Sequence, residues 1–267
     1  MTLTAYAAAA TVLDGMIGMN GSELLEWACP VPYFGRLDRA TAATVGINPS
    51  SREFVDGEGR ELQGLERRLP TLRSLGLSDW SEADSGHLRA ILASCDGYFD
   101  RRPYDRWFRV LDGILAPLGA TYYGGMPSAC HVDLVPYATA EKWGVLSPTM
   151  RRRLLAAGRS AAGMFVRDSA IEVLVLNGQS VVREFESVSG ARLRAEVVPG
   201  WSLPRSGPRH VPGVAYWGFA RRIGDVDLGR RVRVVGYNHN LQSSFGVTAG
   251  VQRRIGDWVA ATAGARP

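Results

Sequence analysis

Five stretches of the chain carry short, β-branched apolar runs and read as strands: "TAATVGI" (41–47), "ACHVDLVP" (129–136), "AIEVLVLNG" (170–178), "RAEVVPG" (194–200) and "RVRVVGYN" (231–238). The third and fifth are almost continuously apolar, as in central strands covered on both faces. Segments of helical length and periodicity lie among them, at about 60–76, 85–96, 104–118, 147–167 and 248–262. Strands alternating with helices predict an α/β fold with three layers, α/β/α, around a mainly parallel central sheet. One domain over residues 1–267 is expected, with residues 1–26 as an N-terminal helical extension. That start lacks a basic leader, and Asp14 interrupts its apolar stretch, so it reads as a helix rather than a signal peptide. Segment 199–219, "PGWSLPRSGPRHVPGVAYWGF", is rich in Pro, Gly, Trp and Arg and reads as a long ordered loop or a β-hairpin insertion.

Right-handed crossovers gather the strand carboxyl ends on one edge of such a sheet, where these folds bind ligands. Four polar turns follow strand ends: "GINPSS", "PYATAEKW", "NGQS" and "YNHNLQSSFG". They are expected to line one cleft. In the first, Gly46 permits a close approach, Pro49 stiffens the loop, and the amide of Asn48 both donates and accepts hydrogen bonds. The amide could orient a water; a plain Asx turn fits equally. In the last, His239 lies between two asparagines at a strand end, suited either to stabilising a developing anion or to a polar loop leading into a helix cap. His131 and Asp133, two apart on a strand, share a face. They form either a site in which the carboxylate fixes the imidazole tautomer or accepts from an exocyclic amine, or a buried packing pair. Trp107 and Phe108 in "PYDRWF" read as core on an amphipathic helix.

Charge and cysteine content narrow the classes. The 267 residues carry 31 Lys+Arg against 26 Asp+Glu, a net charge of +5, which favours polyanionic partners such as nucleic acid. Nearly all the basic residues are arginine, with lysine only at Lys142. The "RRR" run at 151–153 and the arginines around 205–209 fit either solvated faces or nucleic-acid contacts. Cys29, Cys95 and Cys130 are widely spaced with no CxxC pair, which argues against a zinc or iron–sulfur site and suits a reducing compartment. No run approaches the roughly 18–20 apolar residues that span a bilayer. A cytoplasmic, monomeric protein with no membrane partner is expected.

Taken together, the turns resemble those of the uracil-DNA glycosylase superfamily, over roughly residues 27–262. Gly46-Ile47-Asn48-Pro49 looks like the water-activating motif of its mismatch-specific uracil/thymine branch. "GYNHNLQSSFGVT" stands where the family has its C-terminal motif, a DNA-penetrating loop and a helix. A broader bacterial group similarly shares "PVPYFG", "VGINPSSREF", "PYDRWF" and "CHVDLVPYAT". The resemblance implies a uracil-DNA-glycosylase-like fold and hydrolysis of the N-glycosidic bond of a flipped-out base, with no metal or cofactor and with DNA as partner. It implies that Asn48 positions the water and that His239 or Asn238 stabilises the leaving base. Ile47, Phe54, His131 and Asp133 would contact that base, Phe54 by stacking. Ser50, Ser51, Arg52, Ser243 and Ser244 would grip DNA, while Leu241, Gln242 or Phe245 would fill the vacated gap. The chain departs from the family's pattern in four places. A serine follows Pro49, the C-terminal Pro-Ser pair is absent, Asn48 replaces an aspartate, and Asp133 replaces an asparagine. An acceptor at 133 suits a base bearing an amino group, such as a modified cytosine in phage-type DNA. Two further classes stay open: a non-catalytic reader of damaged or modified bases, and an enzyme acting on free nucleosides.

Overall fold

The structure, a computed structural model, describes residues 3–17, 23–126, 128–205 and 210–264. Helix α1 (Leu3–Ile17) precedes strand β1 (Ala42–Gly46), the single turn α2 (Leu72–Leu75), α3 (Ser85–Asp96) and α4 (Asp105–Leu115). Strand β2 (Ala129–Asp133) follows, then α5 (Pro148–Gly158), α6 (Ala161–Arg167), β3 (Val173–Asn177) and α7 (Gln179–Ser189). The chain ends with β4 (Arg194–Pro204), β5 (His210–Ile223), β6 (Val226–Tyr237) and α8 (Ala249–Gly264). One sheet runs in the order β2-β1-β3-β6-β5-β4. The first four strands are parallel, and β5 is antiparallel to both β6 and β4. Helices flank this mixed sheet in a three-layer α/β/α arrangement.

The switch point lies at β1, from which the chain leaves to β2 on one side and later enters β3 on the other. Such a point opens a crevice at the strand carboxyl ends. β1 and β2 are buried along their whole length because both faces are covered. On one face, α4 buries Phe108, Leu111, Ile114 and Leu115. Phe34, Tyr98, Phe99 and Tyr122 complete an aromatic cluster there, with ring centroids 4.6–5.7 Å apart. α8 covers the hairpin on that face, its Trp258 meeting Trp201 and Trp217. The other face receives α6 and α7.

The differences from expectation have local causes. Residues 60–71 form no α-helix and only a 3₁₀ turn at Gly64–Glu66, with Gly64 at φ +56° and Pro70 ahead of the single α-helical turn at Leu72–Leu75. The 147–167 helix breaks between α5 and α6 at Arg159–Ser160. Helix α7 was not anticipated, although Val181, Val182 and Phe185 give it a buried stripe and Gly190 a left-handed cap. Of the two readings of segment 199–219 the β-hairpin holds and the loop does not: it is the end of β4 and most of β5, paired antiparallel within the one sheet, while residues 206–209 lie outside the described residues. Likewise α1 is integral rather than an extension. It buries Ala8, Ala9, Val12, Leu13 and Met16, and Tyr137 donates to the Val12 carbonyl at 2.9 Å. Residues 1–2 and 18–22 of the expected 1–26 segment are outside the described residues.

Gly46 closes β1 beneath a side chain of the neighbouring strand. Asp133 stands opposite in the register, and a Cβ at position 46 would meet Asp133 Oδ1 at 2.2 Å and His131 Nε2 at 2.9 Å. The glycine therefore makes room for the Asp133–His131 pair. Gly46→Ala should destabilise by about 1–3 kcal/mol through overpacking, and Asp133→Ala in the same chain should recover part of that loss. Urea unfolding of the two variants checks this; an alanine at 46 with wild-type stability would refute it.

Candidate functional site

The turn after β1 presents Asn48 through a rigid frame. Val135 N donates to the Ile47 carbonyl at 2.8 Å, so β2 carries the turn beyond the last strand residue. Asn48 Nδ2 donates to Thr139 Oγ1 at 3.0 Å and to the carbonyls of Pro49 and Tyr137 at 3.2 and 3.5 Å. Thr139 Oγ1 spends its own proton on the Glu141 carbonyl at 2.7 Å. Every neighbour on that side is thus an acceptor, which fixes the amide orientation: nitrogen toward β2, Oδ1 away. Among the described residues no donor takes Oδ1, so it can accept a proton from a water or a ligand.

Beneath the turn runs a buried polar chain. Tyr122 OH bonds Thr44 Oγ1, which lies 2.7 Å from His131 Nδ1, and His131 Nε2 lies 3.2 Å from Asp133 Oδ1. With Tyr122 donating to Thr44, and Thr44 to Nδ1, the imidazole carries its proton on Nε2 and gives it to Asp133. Phe34, Trp107 and Phe108 wall the ring, with centroids 5.1–5.6 Å from it. The chain serves packing, and it also holds the Asp133 carboxylate at the sheet edge.

Glu53 was not anticipated. It ends the one-turn segment Ser51–Glu53, is only 3% exposed, and accepts from Tyr98 OH, which accepts in turn from Tyr104 N at 2.9 Å. Burial pushes its pKa up from 4.5 to about 7; Tyr98 and Arg68 oppose the rise, and the Asp133 charge adds to it. The only sequence signal was a carboxylate four residues after an apolar strand-ending turn, the place of a solvated cap.

Gln242 joins the fourth turn to the third and to α4. Its Nε2 lies 3.5 Å from the Trp107 carbonyl, and its Oε1 accepts from Asn177 Nδ2 at 3.2 Å. Trp107 is therefore more than core: half-buried, it touches His131 and anchors the loop after β6. Asn177 and Tyr237 are register partners at the ends of β3 and β6, and Asn177 Oδ1 and Tyr237 OH are buried without a hydrogen-bond partner.

Several expected contact residues are committed elsewhere. Phe54 is 1% exposed and packs edge-on against Trp27, so it is core and not a stacking platform. Leu241 is 4% exposed, so it is no wedge; Phe245, 78% exposed in the same loop, is the residue that protrudes. Asn238 donates to the Pro212 carbonyl and accepts from Val214 N, both at 2.8 Å, which staples β6 to β5. His239 is buried, its Nε2 2.7 Å from the Trp201 carbonyl; burial lowers its pKa, favouring the neutral ring that donates to that carbonyl. Ser50 caps the Ser51–Glu53 turn by accepting from Arg52 N at 3.2 Å. Arg52 is exposed and donates to the Asp56 carbonyl. Arg68 donates to the Arg52 and Arg102 carbonyls, gathering arginines beside the Asn48 turn. The Ser243 and Ser244 amides close the last turn on the Asn240 carbonyl. Among the described residues no group of three or more His, Cys, Asp or Glu could hold a metal, and no helix is long and apolar enough to cross a membrane.

Comparison with known proteins finds no family model and no curated relative that matches the chain. The site's chemistry is therefore argued from its geometry.

The raised Glu53 pKa fixes the sign of a pH effect. The folded chain holds this proton between pH 4.5 and about 7 while the unfolded chain releases it, so stability falls as pH rises through that window and levels above it. The span corresponds to ~3 kcal/mol. Glu53→Gln should remove this fall, gaining on the wild type as pH rises from 4.5 to 7.5 in denaturant titrations. Parallel stability curves for the two proteins would contradict the burial of the carboxyl.

Proposed function

We propose that the chain hydrolyses the N-glycosidic bond of a pyrimidine swung out of DNA, leaving an abasic site. The observation that carries the reading is the fixed amide of Asn48, whose oxygen is an unused acceptor in the turn at the switch point. Bond cleavage puts positive charge on the sugar, and a water held by that oxygen would lie ready to capture it without a strong nucleophile. A base must leave the stack first, which costs a few kcal/mol. The arginines gathered by Arg68, the net charge of +5 and the protruding Phe245 would offset that cost on the DNA side. The antiviral sense of the reading, removal of a bulky modified cytosine from phage-type DNA, rests on the acceptor at Asp133.

One observation favours the non-catalytic reader instead. His239 gives its Nε2 to the Trp201 carbonyl, so in this conformation it supplies no donor to a departing base.

The test is base release from duplexes containing uracil, thymine mismatches, or cytosines bearing hydroxymethyl or sugar groups, with alkali to reveal abasic sites. One of these should be cleaved, and Asn48→Ala should slow that cleavage by about 10²-fold or more. Tight, salt-sensitive binding with no abasic sites would replace hydrolysis by reading; cleavage indifferent to Asn48→Ala would remove the proposed water site.

A further inference from the structure

The two unpartnered polar atoms at the ends of β3 and β6 have a shared geometry. Residues two apart on a strand share a face, and the registers Thr44 with His131 and Val175, and Val175 with Val235, carry that face across the parallel strands. One step on, the same face shows Asp133, Gly46, Asn177 and Tyr237 as a row along the carboxyl edge. The bare Gly46 lets the Asp133 carboxyl lean over β1 toward Asn177. The two acceptors are then separated by about one strand spacing, ~4.8 Å.

The hydrogen-bonding sense of the row is set by its neighbours. Asn177 is 6% exposed, and its Nδ2 is spent on Gln242, so Oδ1 is an acceptor. Asp133 Oδ1, the oxygen over Gly46, accepts from His131 Nε2 and has a second lone pair with which to accept again. Tyr237 is 0% exposed, and its hydroxyl is the one donor of the row. An amino group whose two N–H bonds splay by about 120° bridges acceptors about 5 Å apart.

Resting on the glycosylase reading for its DNA context, we propose that Asn177 and Tyr237, with Asp133, receive the amino-and-ring-nitrogen edge of a cytosine-type base. The exocyclic amine gives one N–H to Asp133 and one to Asn177, and the ring nitrogen beside it accepts from Tyr237 OH. A uracil-type base turns a carbonyl oxygen toward the two acceptors and is disfavoured. Gln242, bonded to Asn177 and Trp107, belongs to the same loop as Phe245. Thus one side chain links occupation of the row to the surface that faces DNA.

Titration of the full chain with free cytosine and free uracil, followed by NMR, tests this. Cytosine should bind at least about 10-fold more tightly than uracil, and Tyr237→Phe should weaken cytosine by about 10-fold while leaving the fold intact by circular dichroism. Asn177→Ala should also weaken it. Equal affinity for the two bases, binding of neither, or cytosine affinity unmoved by both substitutions would overturn the assignment and make the pair the seat of a structural water. The two readings fail separately. Tyr237-dependent cytosine binding with no abasic sites would keep the row and discard hydrolysis. Uracil excision that ignores Tyr237→Phe would keep hydrolysis and discard the row.

Discussion

Position 46 admits only a hydrogen atom, and much of the molecule is arranged around that restriction. The space a Cβ would take belongs to Asp133 and His131. A carboxylate and an imidazole can be buried side by side only if their polar atoms are met. His131 meets Asp133 on one nitrogen and Thr44 on the other, and Thr44 meets Tyr122. Thr44 sits on β1, His131 and Asp133 on β2, and Tyr122 on the segment before β2, so the chain ties the three into one block. The aromatic rings around His131 exclude water from it. A half-satisfied version would be worse than an apolar core, and this interdependence is what makes the floor of the crevice rigid.

That rigidity passes upward to Asn48. The turn leaves β1 directly after Gly46, and backbone bonds from Leu134 and Val135 to the Gly46 and Ile47 carbonyls keep it against β2. The amide then meets only acceptors on the β2 side, and its oxygen has no choice of direction. The opposite wall is built differently. The side chains of Asn238 and His239 are fixed to the β4–β5 hairpin through Pro212, Val214 and Trp201. The Asn238 carbonyl accepts from Gln179 N at 3.0 Å, and Gln242 reaches Asn177 and, by a longer bond, the Trp107 carbonyl.

The parallel half of the fold was legible because its strands are short apolar runs separated by turns that name themselves with Gly, Pro and Asn. The hairpin half was obscured by its composition: Pro, Gly and Trp in 199–219 suit a loop as well as a hairpin, and such residues are tolerated in β4 because it is the edge strand. Asn48, His131 and Asp133 were recognisable because their spacing places them on one edge. Phe54 misled because adjacency in sequence to a site turn says nothing of which way a ring points; Trp27 decides it. Glu53 and the Asn177–Tyr237 pair were invisible for a related reason. A carboxylate in a polar turn and a tyrosine in a strand become unusual only when burial removes their water, and burial is a property of the whole fold.

The electrostatics of the crevice argue for the kind of base it suits. Outside, the chain is basic. Inside, the groups that face the opening are oxygens, on Asn48, Asp133 and Asn177, and Glu53 lies close enough to feel the Asp133 charge. Burial keeps the proton on Glu53 to about neutral pH, and the neighbouring Asp133 adds to that effect. A departing base that gathers negative charge would be repelled by that carboxylate. One that presents N–H groups, and that can take a proton as it leaves, would be held. On the proposed reading, these oxygens would accept from an amino-bearing base more readily than from uracil.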